Sequence, residues 1–148
     1  MTCPLCDTDG GLLIARLPRC RVVRVQGAEA ADFPVFYRVI WNAHVAEWSD
    51  LTPEDQAECM RVLTTVERVV RQHCAPTKIN LAALGNVVPH LHWHVIGRLE
   101  GDSRWPAPVW AAAQRGVPAD FWRLARAALP VCDAAMAQAL GAAPTSFA

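Results

Sequence analysis

Three histidines alternate with apolar residues between Pro89 and Arg98, at positions His90, His92 and His94. Successive side chains of a β-strand point to opposite faces, so a strand here would place the three imidazoles on one face. We expect the residues that alternate with them to face the core: Leu91, Trp93 and Val95. Such an array supports two chemistries. The imidazoles can hold a metal ion with one open position, or one can be a nucleophile while its neighbours bind phosphate.

The residues around this array favour phosphate chemistry. Gly85 and Asn86 precede it and offer a backbone N–H and a side-chain amide to an anionic oxygen, and Asn80 lies on the preceding β-rich run. The sequence near the histidines contains no acidic cluster to complete a metal cage. Phosphate binding is therefore the favoured prediction, and a metal-dependent hydrolase with the three histidines as ligands is the alternative.

A second candidate site is the pair Cys3 and Cys6, separated by two residues. Two thiolates at this spacing form half of a tetrahedral zinc site, and the fold must bring in the other two ligands. There are two alternatives to a zinc site: the cysteines are reduced and bind no ligand, or they form a redox-active dithiol. The redox dithiol is disfavoured because no thioredoxin-like βαβ pattern surrounds the pair.

The segments that must position these residues begin with β-rich runs. Two runs within residues 11–25 predict a hairpin, and residues 35–41 predict a third strand from their aromatic and β-branched content. Residues 78–84 predict a further strand, and residues 87–98 a strand that carries the histidines. A tight turn at Gly85-Asn86 is expected to join these last two strands as a hairpin.

Two long helices are also predicted. Thr52, followed by proline and two acids, is typical of a helix N-cap, and the apolar periodicity continues to about Cys74. The second helix is predicted over about residues 118–140, with Pro130 kinking or dividing it. Its expected inward face consists of Phe121, Leu124, Ala128, Val131 and Ala135. This order of elements, with hairpins and no βαβ alternation, predicts an antiparallel α+β fold.

Composition limits the classes of function. Apolar residues make up 53% of the 148 residues, which excludes a disordered chain and predicts a single domain over residues 1–148. The 14 basic and 14 acidic residues cancel, so no global field attracts a nucleic acid. The sequence shows no secretion signal and no apolar run of about eighteen residues. We therefore expect a cytoplasmic protein with no membrane or nucleic-acid partner.

The sequence His-Leu-His-Trp-His-Val-Ile from position 90 resembles the His-φ-His-φ-His-φ-φ signature of the histidine triad (HIT) family of nucleotide hydrolases and transferases. The likeness extends over residues 36–51, which match the family's strand and approach to its first long helix, and over residues 79–90. The resemblance implies an α+β domain with about five antiparallel strands and two main helices. It also implies a homodimer that binds a purine nucleotide.

The resemblance assigns roles to individual residues. His92 would attack the α-phosphorus of a nucleotide phosphoramidate or dinucleoside polyphosphate and form a nucleotidyl-histidine intermediate that water hydrolyses. His94 would contact the α-phosphate, with Gly85 and Asn86 beside it. Asn80 is implied as a further substrate-binding residue.

The resemblance also completes the candidate zinc site. In histidine triad proteins with an N-terminal cysteine pair, two histidines at matching positions supply the remaining ligands. This implies a structural Zn²⁺ that the chemistry does not require, held by Cys3, Cys6, His44 and His90.

Two departures from the family pattern motivate another function. Phe36 lies where many members have a histidine, and Val87 lies where many have serine or threonine. A nucleotide-binding protein without useful turnover is therefore a further alternative. Trp105 and Trp110 are interpreted either as buried aromatics or as one wall of a base-binding slot or dimer contact.

Overall fold

A five-stranded antiparallel sheet forms the centre of the molecule in the computed structural model, which describes residues 2–141. The strands run in the order β1-β2-β3-β5-β4. Their bounds are β1 Leu12–Arg16, β2 Cys20–Arg24, β3 Phe36–Trp41, β4 Lys78–Ala82 and β5 His92–Arg98. The strand β5, which carries two of the three histidines, therefore lies between β3 and β4.

Four α-helices lie within the described residues: α1 Pro4–Asp7, α2 Ala28–Ala31, α3 Pro53–Cys74 and α4 Arg123–Ala139. The two long helices α3 and α4 pack against each other and against the sheet, which confirms the predicted α+β fold with two main helices. None of the helices within residues 2–141 combines the length and the apolar composition that crossing a membrane requires.

Apolar side chains form two clusters. One lies between the sheet and the long helices, and the other lies between the sheet and the N-terminal segment. The larger cluster joins the sheet to α3 and α4 and includes Leu91 and Val95, as the alternation predicts. The smaller cluster joins Leu5 of α1 to Val23 and Ile40 of the sheet. Since Ile40 pairs directly with His92 across β3 and β5, the N-terminal segment lies near the histidine face.

The helix α3 begins and ends as its sequence predicts. The Thr52 hydroxyl accepts a hydrogen bond from the backbone N–H of Asp55 at 3.1 Å, and a proline occupies the first turn. The helix ends at Cys74, and Ala75 follows in the left-handed conformation. The buried face of α3 packs into the larger cluster.

The predicted antiparallel pairing of the last two strands is confirmed, since β4 pairs with β5, but the tight turn predicted at Gly85-Asn86 is wrong. The strand β4 ends at Ala82 and β5 begins at His92, so residues 83–91 form an irregular loop. Within this loop Pro89 lacks an N–H to donate. The N–H of Leu91 instead donates to the carbonyl of Val45 at 2.7 Å, which directs the chain toward the end of β3 and away from the β4 ladder.

The predicted inward face of the last helix is wrong at two of its five positions, because Phe121, Ala128 and Ala135 pack against the core but Leu124 and Val131 do not. The helix α4 begins at Arg123 and contains Pro130 without interruption, and Leu124 and Val131 are 74% and 60% exposed. Its buried face is shifted by about one position and includes the buried carboxylate of Asp133. That carboxylate accepts a hydrogen bond from the Tyr37 hydroxyl at 2.7 Å and pairs with Arg24 at 3.0 Å. These bonds set the rotation of α4.

A buried ion pair fixes the chain after β5. Arg98, 1% exposed, donates from Nε and Nη2 to the carboxylate of Asp102, which is 0% exposed, at 2.7 and 2.8 Å. The same carboxylate accepts backbone N–H groups of Arg104 and Trp105. Burial of Asp102 opposes its ionisation, but these donors outweigh burial and hold the pKa of its carboxyl below its ordinary value.

We predict that Asp102→Asn lowers the free energy of unfolding by about 3–5 kcal/mol at pH 7, because it leaves Arg98 buried without its counter-charge. A carboxyl with a lowered folded-state pKa contributes stability above its unfolded pKa of about 3.9 and loses it as pH falls through the folded value. The difference between the two proteins should therefore shrink in acid. Urea unfolding at several pH values measures it.

The matched control is Glu58→Gln, which removes a partly exposed partner of Arg61. Its expected cost is below about 1 kcal/mol, since exposed ion pairs contribute little. Equal losses in the two variants would contradict the role assigned to burial.

Candidate active site and metal centre

Four side chains converge on one point near the end of β3. Cys3, Cys6, His44 and His90 each offer one ligand atom, and these four atoms lie within 4.8 Å of one another. The His90 Nδ1 atom is 3.3 Å from Cys3 Sγ and 3.5 Å from Cys6 Sγ, and His44 Nδ1 is 3.4 Å from Cys6 Sγ. Neighbouring ligand atoms of a tetrahedral zinc site are roughly 3.4–3.8 Å apart, so the group fits zinc in donor type and spacing.

The orientation of His90 supports this assignment. Its Nε2 donates a hydrogen bond to the backbone carbonyl of Trp41 at 2.6 Å, which leaves the Nδ1 lone pair directed at the cysteine sulfurs. Metal-bound histidines commonly fix their second nitrogen in this way. Burial lowers the pKa of His90, which favours the neutral imidazole that a metal ligand requires.

Arg21 of β2 holds the cysteine segment in place. This arginine is 4% exposed, and its guanidinium donates to the backbone carbonyls of Leu5, Thr8 and Asp9. These carbonyls belong to α1 and the residues that follow it. Arg21 therefore anchors the two thiols against the sheet independently of any metal.

His92 and His94 line a different space, a cavity of about 600 Å³. The Nδ1 atom of His92 lies 2.6 Å from the carbonyl oxygen of His90, and because a carbonyl oxygen only accepts, Nδ1 must carry the proton. The lone pair is then on Nε2 of His92. The rings of His92 and His94 contact edge to face with centroids 4.8 Å apart.

Both cavity histidines are held neutral. Burial is the main cause: it lowers the pKa of His92 and lowers that of His94 to about 3. The positive charge of Arg38 acts in the same direction on both. A neutral imidazole retains the lone pair that nucleophilic attack needs.

Several separate segments form the walls of the cavity around these histidines. The N-terminal segment contributes residues that include Pro4 and Leu5, so the cysteine turn lies beside the histidines. Trp110 forms another wall. It is 46% exposed, and the centroid of its ring lies 4.9 Å from the centroid of the His94 ring. The 83–91 loop contributes Leu84, Gly85, Asn86, Val87 and Val88.

The residues predicted to bind substrate divide into two groups. Gly85, with φ of 72°, and Asn86 line the cavity together with the histidines. Asn80 does not line it: its side-chain oxygen accepts a hydrogen bond from Arg98 Nη1 at 2.9 Å. Trp105, the other tryptophan considered above, stacks beside Arg98, whose guanidinium carbon lies 5.8 Å from the ring centroid.

Two charged residues of the cavity were missed from sequence. Arg38 of β3 pairs directly with His94 of β5, and Glu29 of α2 contacts Arg38. A signal for Arg38 was present, because it is the only charged residue in the otherwise apolar or aromatic strand from Phe36 to Trp41. Glu29 had no such signal, since an acidic residue in a short polar connection is ordinary.

Comparison with known proteins identifies similar chains. A family model described as the HIT domain matches residues 14–101. A histidine triad protein from Bradyrhizobium japonicum is 28% identical, with a TM-score of 0.68 over 88% of this chain and 90% of that one. A histidine triad protein from Sinorhizobium meliloti is 29% identical, with a TM-score of 0.66 over the same shares. No curated protein sequence matches the chain.

A third structure shares the fold at lower identity. It is a zinc-bound histidine triad family protein from Mycobacterium smegmatis, 23% identical, with a TM-score of 0.58 over 91% of this chain and 98% of that one.

We predict that the purified protein holds one zinc ion per chain and that His44→Ala lowers this content and the unfolding temperature. The reason is that the variant leaves three ligands for an ion that structural sites bind with four. The control is His73→Ala, at the C-terminal end of α3 and outside the ligand group. Elemental analysis measures zinc, and full zinc content in His44→Ala would contradict the assignment of this ligand.

Proposed function

Because the chain belongs to the HIT domain family, we propose that it is a nucleotide hydrolase that acts at the α-phosphate of a purine nucleotide. The proposed substrates are nucleoside phosphoramidates and dinucleoside polyphosphates. The observation that carries the proposal is the geometry of His92. Its Nδ1–H donates a hydrogen bond to the carbonyl of His90, so the neutral imidazole keeps its lone pair on Nε2, and the residue lines a cavity large enough for a nucleotide.

In the proposed reaction, Nε2 of His92 attacks the α-phosphorus and forms a P–N bond. The bond from phosphorus to the leaving group breaks, and the leaving group departs with the electron pair and takes up a proton. Water then attacks the same phosphorus and loses a proton to the solvent, which balances the proton taken up by the leaving group; the P–N bond to His92 breaks, and a nucleoside monophosphate is released with the free imidazole. Splitting the reaction in this way replaces one difficult displacement by two easier ones.

The neighbouring residues supply the remaining roles. His94 contacts the ring of His92 and lines the same cavity, which suits contact with the α-phosphate. The backbone N–H of Gly85 and the amide of Asn86 are further donors for the developing negative charge. The half-exposed ring of Trp110 offers a stacking surface for the base.

We propose that zinc has a structural role in this enzyme. Cys3 and Cys6 belong to the segment whose neighbours Pro4 and Leu5 line the cavity, so the ion would hold one wall in position. In the metal-dependent alternative, one ion uses His90 together with His92 and His94. Within residues 2–141 the ligand group contains His90 but neither of the other two histidines, which disfavours that alternative.

A nucleotide-binding protein without turnover is the second candidate function. Phe36 packs edge to face on His94, with ring centroids 5.5 Å apart, and Val87 presents an apolar side chain that is 93% exposed at the cavity. Neither residue donates a hydrogen bond to phosphate. Tight nucleotide binding without a covalent intermediate would favour this candidate.

We also propose, from family membership, a homodimer located in the cytoplasm that acts without nucleic-acid or membrane partners. Sedimentation of the purified protein tests the oligomeric state.

The decisive experiment measures hydrolysis of adenosine phosphoramidate and diadenosine tetraphosphate by the wild type, His92→Ala and His73→Ala. We expect His92→Ala to lose at least about 1000-fold in turnover, because it lacks the nucleophile. His73→Ala should retain full activity. Zinc content, measured on the same preparations, should be unchanged in both variants.

Mass spectrometry of rapidly quenched wild-type enzyme should show a nucleotidyl adduct that His92→Ala lacks. Turnover retained in His92→Ala would contradict the proposed mechanism. If the wild type binds AMP but does not turn over the substrates, the result would contradict the hydrolase and support the nucleotide-binding protein.

A further inference from the structure

The cavity contains a fixed positive charge that the roles above leave unassigned. Arg38 lies on β3 directly opposite His94, on the face that also carries Phe36 and Ile40. Its side chain is 14% exposed, and it lines the cavity. An arginine in this setting loses most of its hydration, so it requires anionic partners or acceptors.

Glu29 satisfies only part of the guanidinium. The Nη2 atom of Arg38 donates to both carboxylate oxygens of Glu29, at 2.7 and 2.9 Å. Nε is buried without a partner, and Nη1 makes no hydrogen bond to any residue between 2 and 141. Unlike Nε, Nη1 is not fully buried. Because Arg38 lines the cavity, Nη1 is the unpaired donor that a molecule in the cavity can reach.

The different exposure of the two partners explains why Glu29 does not fully neutralise the positive charge of Arg38. The Glu29 side chain is 50% exposed, so water screens its charge, whereas the Arg38 side chain is less exposed and its guanidinium carbon lies 5.7 Å from the centroid of the Phe36 ring. An anion that enters the cavity beside His94 therefore meets a positive charge that its carboxylate partner neutralises only in part.

We propose that Arg38 binds a phosphoryl oxygen of the substrate through Nη1 while Glu29 holds the guanidinium through Nη2. This inference rests on the proposed function, because the phosphate it binds is that of the nucleotide presented to His92. Arg38 then distinguishes a phosphorylated ligand from the corresponding nucleoside. Glu29 is a positioning residue that keeps the planar guanidinium directed into the cavity.

The alternative is that Arg38 only tethers α2 to the sheet through Glu29. The two roles differ in what they predict for ligands with and without phosphate. A tether affects stability and weakens binding of nucleotide and nucleoside alike. A phosphate-binding arginine affects the nucleotide alone.

The test compares AMP with adenosine, by calorimetry on the full-length protein, for the wild type, Arg38→Gln and Arg38→Lys. We expect Arg38→Gln to lower AMP affinity at least about 10-fold and to leave adenosine affinity within about twofold, since a charge-assisted contact is lost. The expected loss in Arg38→Lys is smaller, because lysine keeps the charge but not the two-sided geometry. Added salt should weaken AMP binding to the wild type more than to Arg38→Gln.

The matched control is Arg61→Gln, which removes an exposed arginine of α3 that also pairs with a glutamate. Its AMP affinity should equal that of the wild type. If Arg38→Gln does not fold, as judged by thermal unfolding, the comparison is made on Arg38→Lys, with an expected loss of about threefold or more for AMP and none for adenosine.

Unchanged AMP affinity in the Arg38 variants, or an equal loss for adenosine, overturns the role of Arg38 and leaves the hydrolase proposal standing. A wild type that binds AMP in an Arg38-dependent way but does not turn over supports the role of Arg38 and contradicts hydrolysis. A folded wild type that binds neither ligand overturns both.

Discussion

The hydrogen bond from His92 Nδ1 to the carbonyl of His90 is the interaction on which the site depends. A carbonyl only accepts, so this bond fixes the tautomer of His92 and determines that Nε2 carries the lone pair. The ring of His90 is held in turn by Trp41 on one side and by the cysteine group on the other. The residue that positions the proposed nucleophile is therefore also a ligand of the candidate metal centre.

This shared residue explains why the cysteine turn and the cavity are adjacent. The chain bends at His90 because its N–H and that of Leu91 bond to Val88 and Val45, so the ring turns toward the thiols before β5 begins. The same N-terminal segment that brings in the thiols supplies Pro4 and Leu5 to the cavity wall. Arg21 holds this segment in position by donating to its backbone carbonyls. These hydrogen bonds do not depend on which side chains the segment carries.

Buried charges account for most of what hydrophobic patterns did not reveal. Asp133 is buried because Tyr37 and Arg24 satisfy its carboxylate, and α4 is rotated accordingly. The carboxylate of Asp102 is buried against Arg98, which also takes the side chain of Asn80 away from the cavity. A periodicity argument counts each of these residues as polar and places it on the outside, because it does not include the partner that makes burial favourable.

The sequence by itself determined the features that arise from neighbours along the chain. Strand alternation placed His92 and His94 on one face opposite Val95, and the N-cap at Thr52 began α3, because backbone stereochemistry and local hydrogen bonds decide both. The match to the family signature supplied the expected roles of the two histidines.

Only the tertiary structure decided the contacts between distant residues. Cys3 contacts His90, which is 87 positions away, and Arg38 lies opposite His94 on the neighbouring strand. Trp110 packs against His94 from a later segment of the chain. The β4–β5 connection became a loop for the same reason, since its backbone bonds go to the segment after β3. Such contacts depend on the packing of the whole sheet with its helices, and no local pattern contains that information.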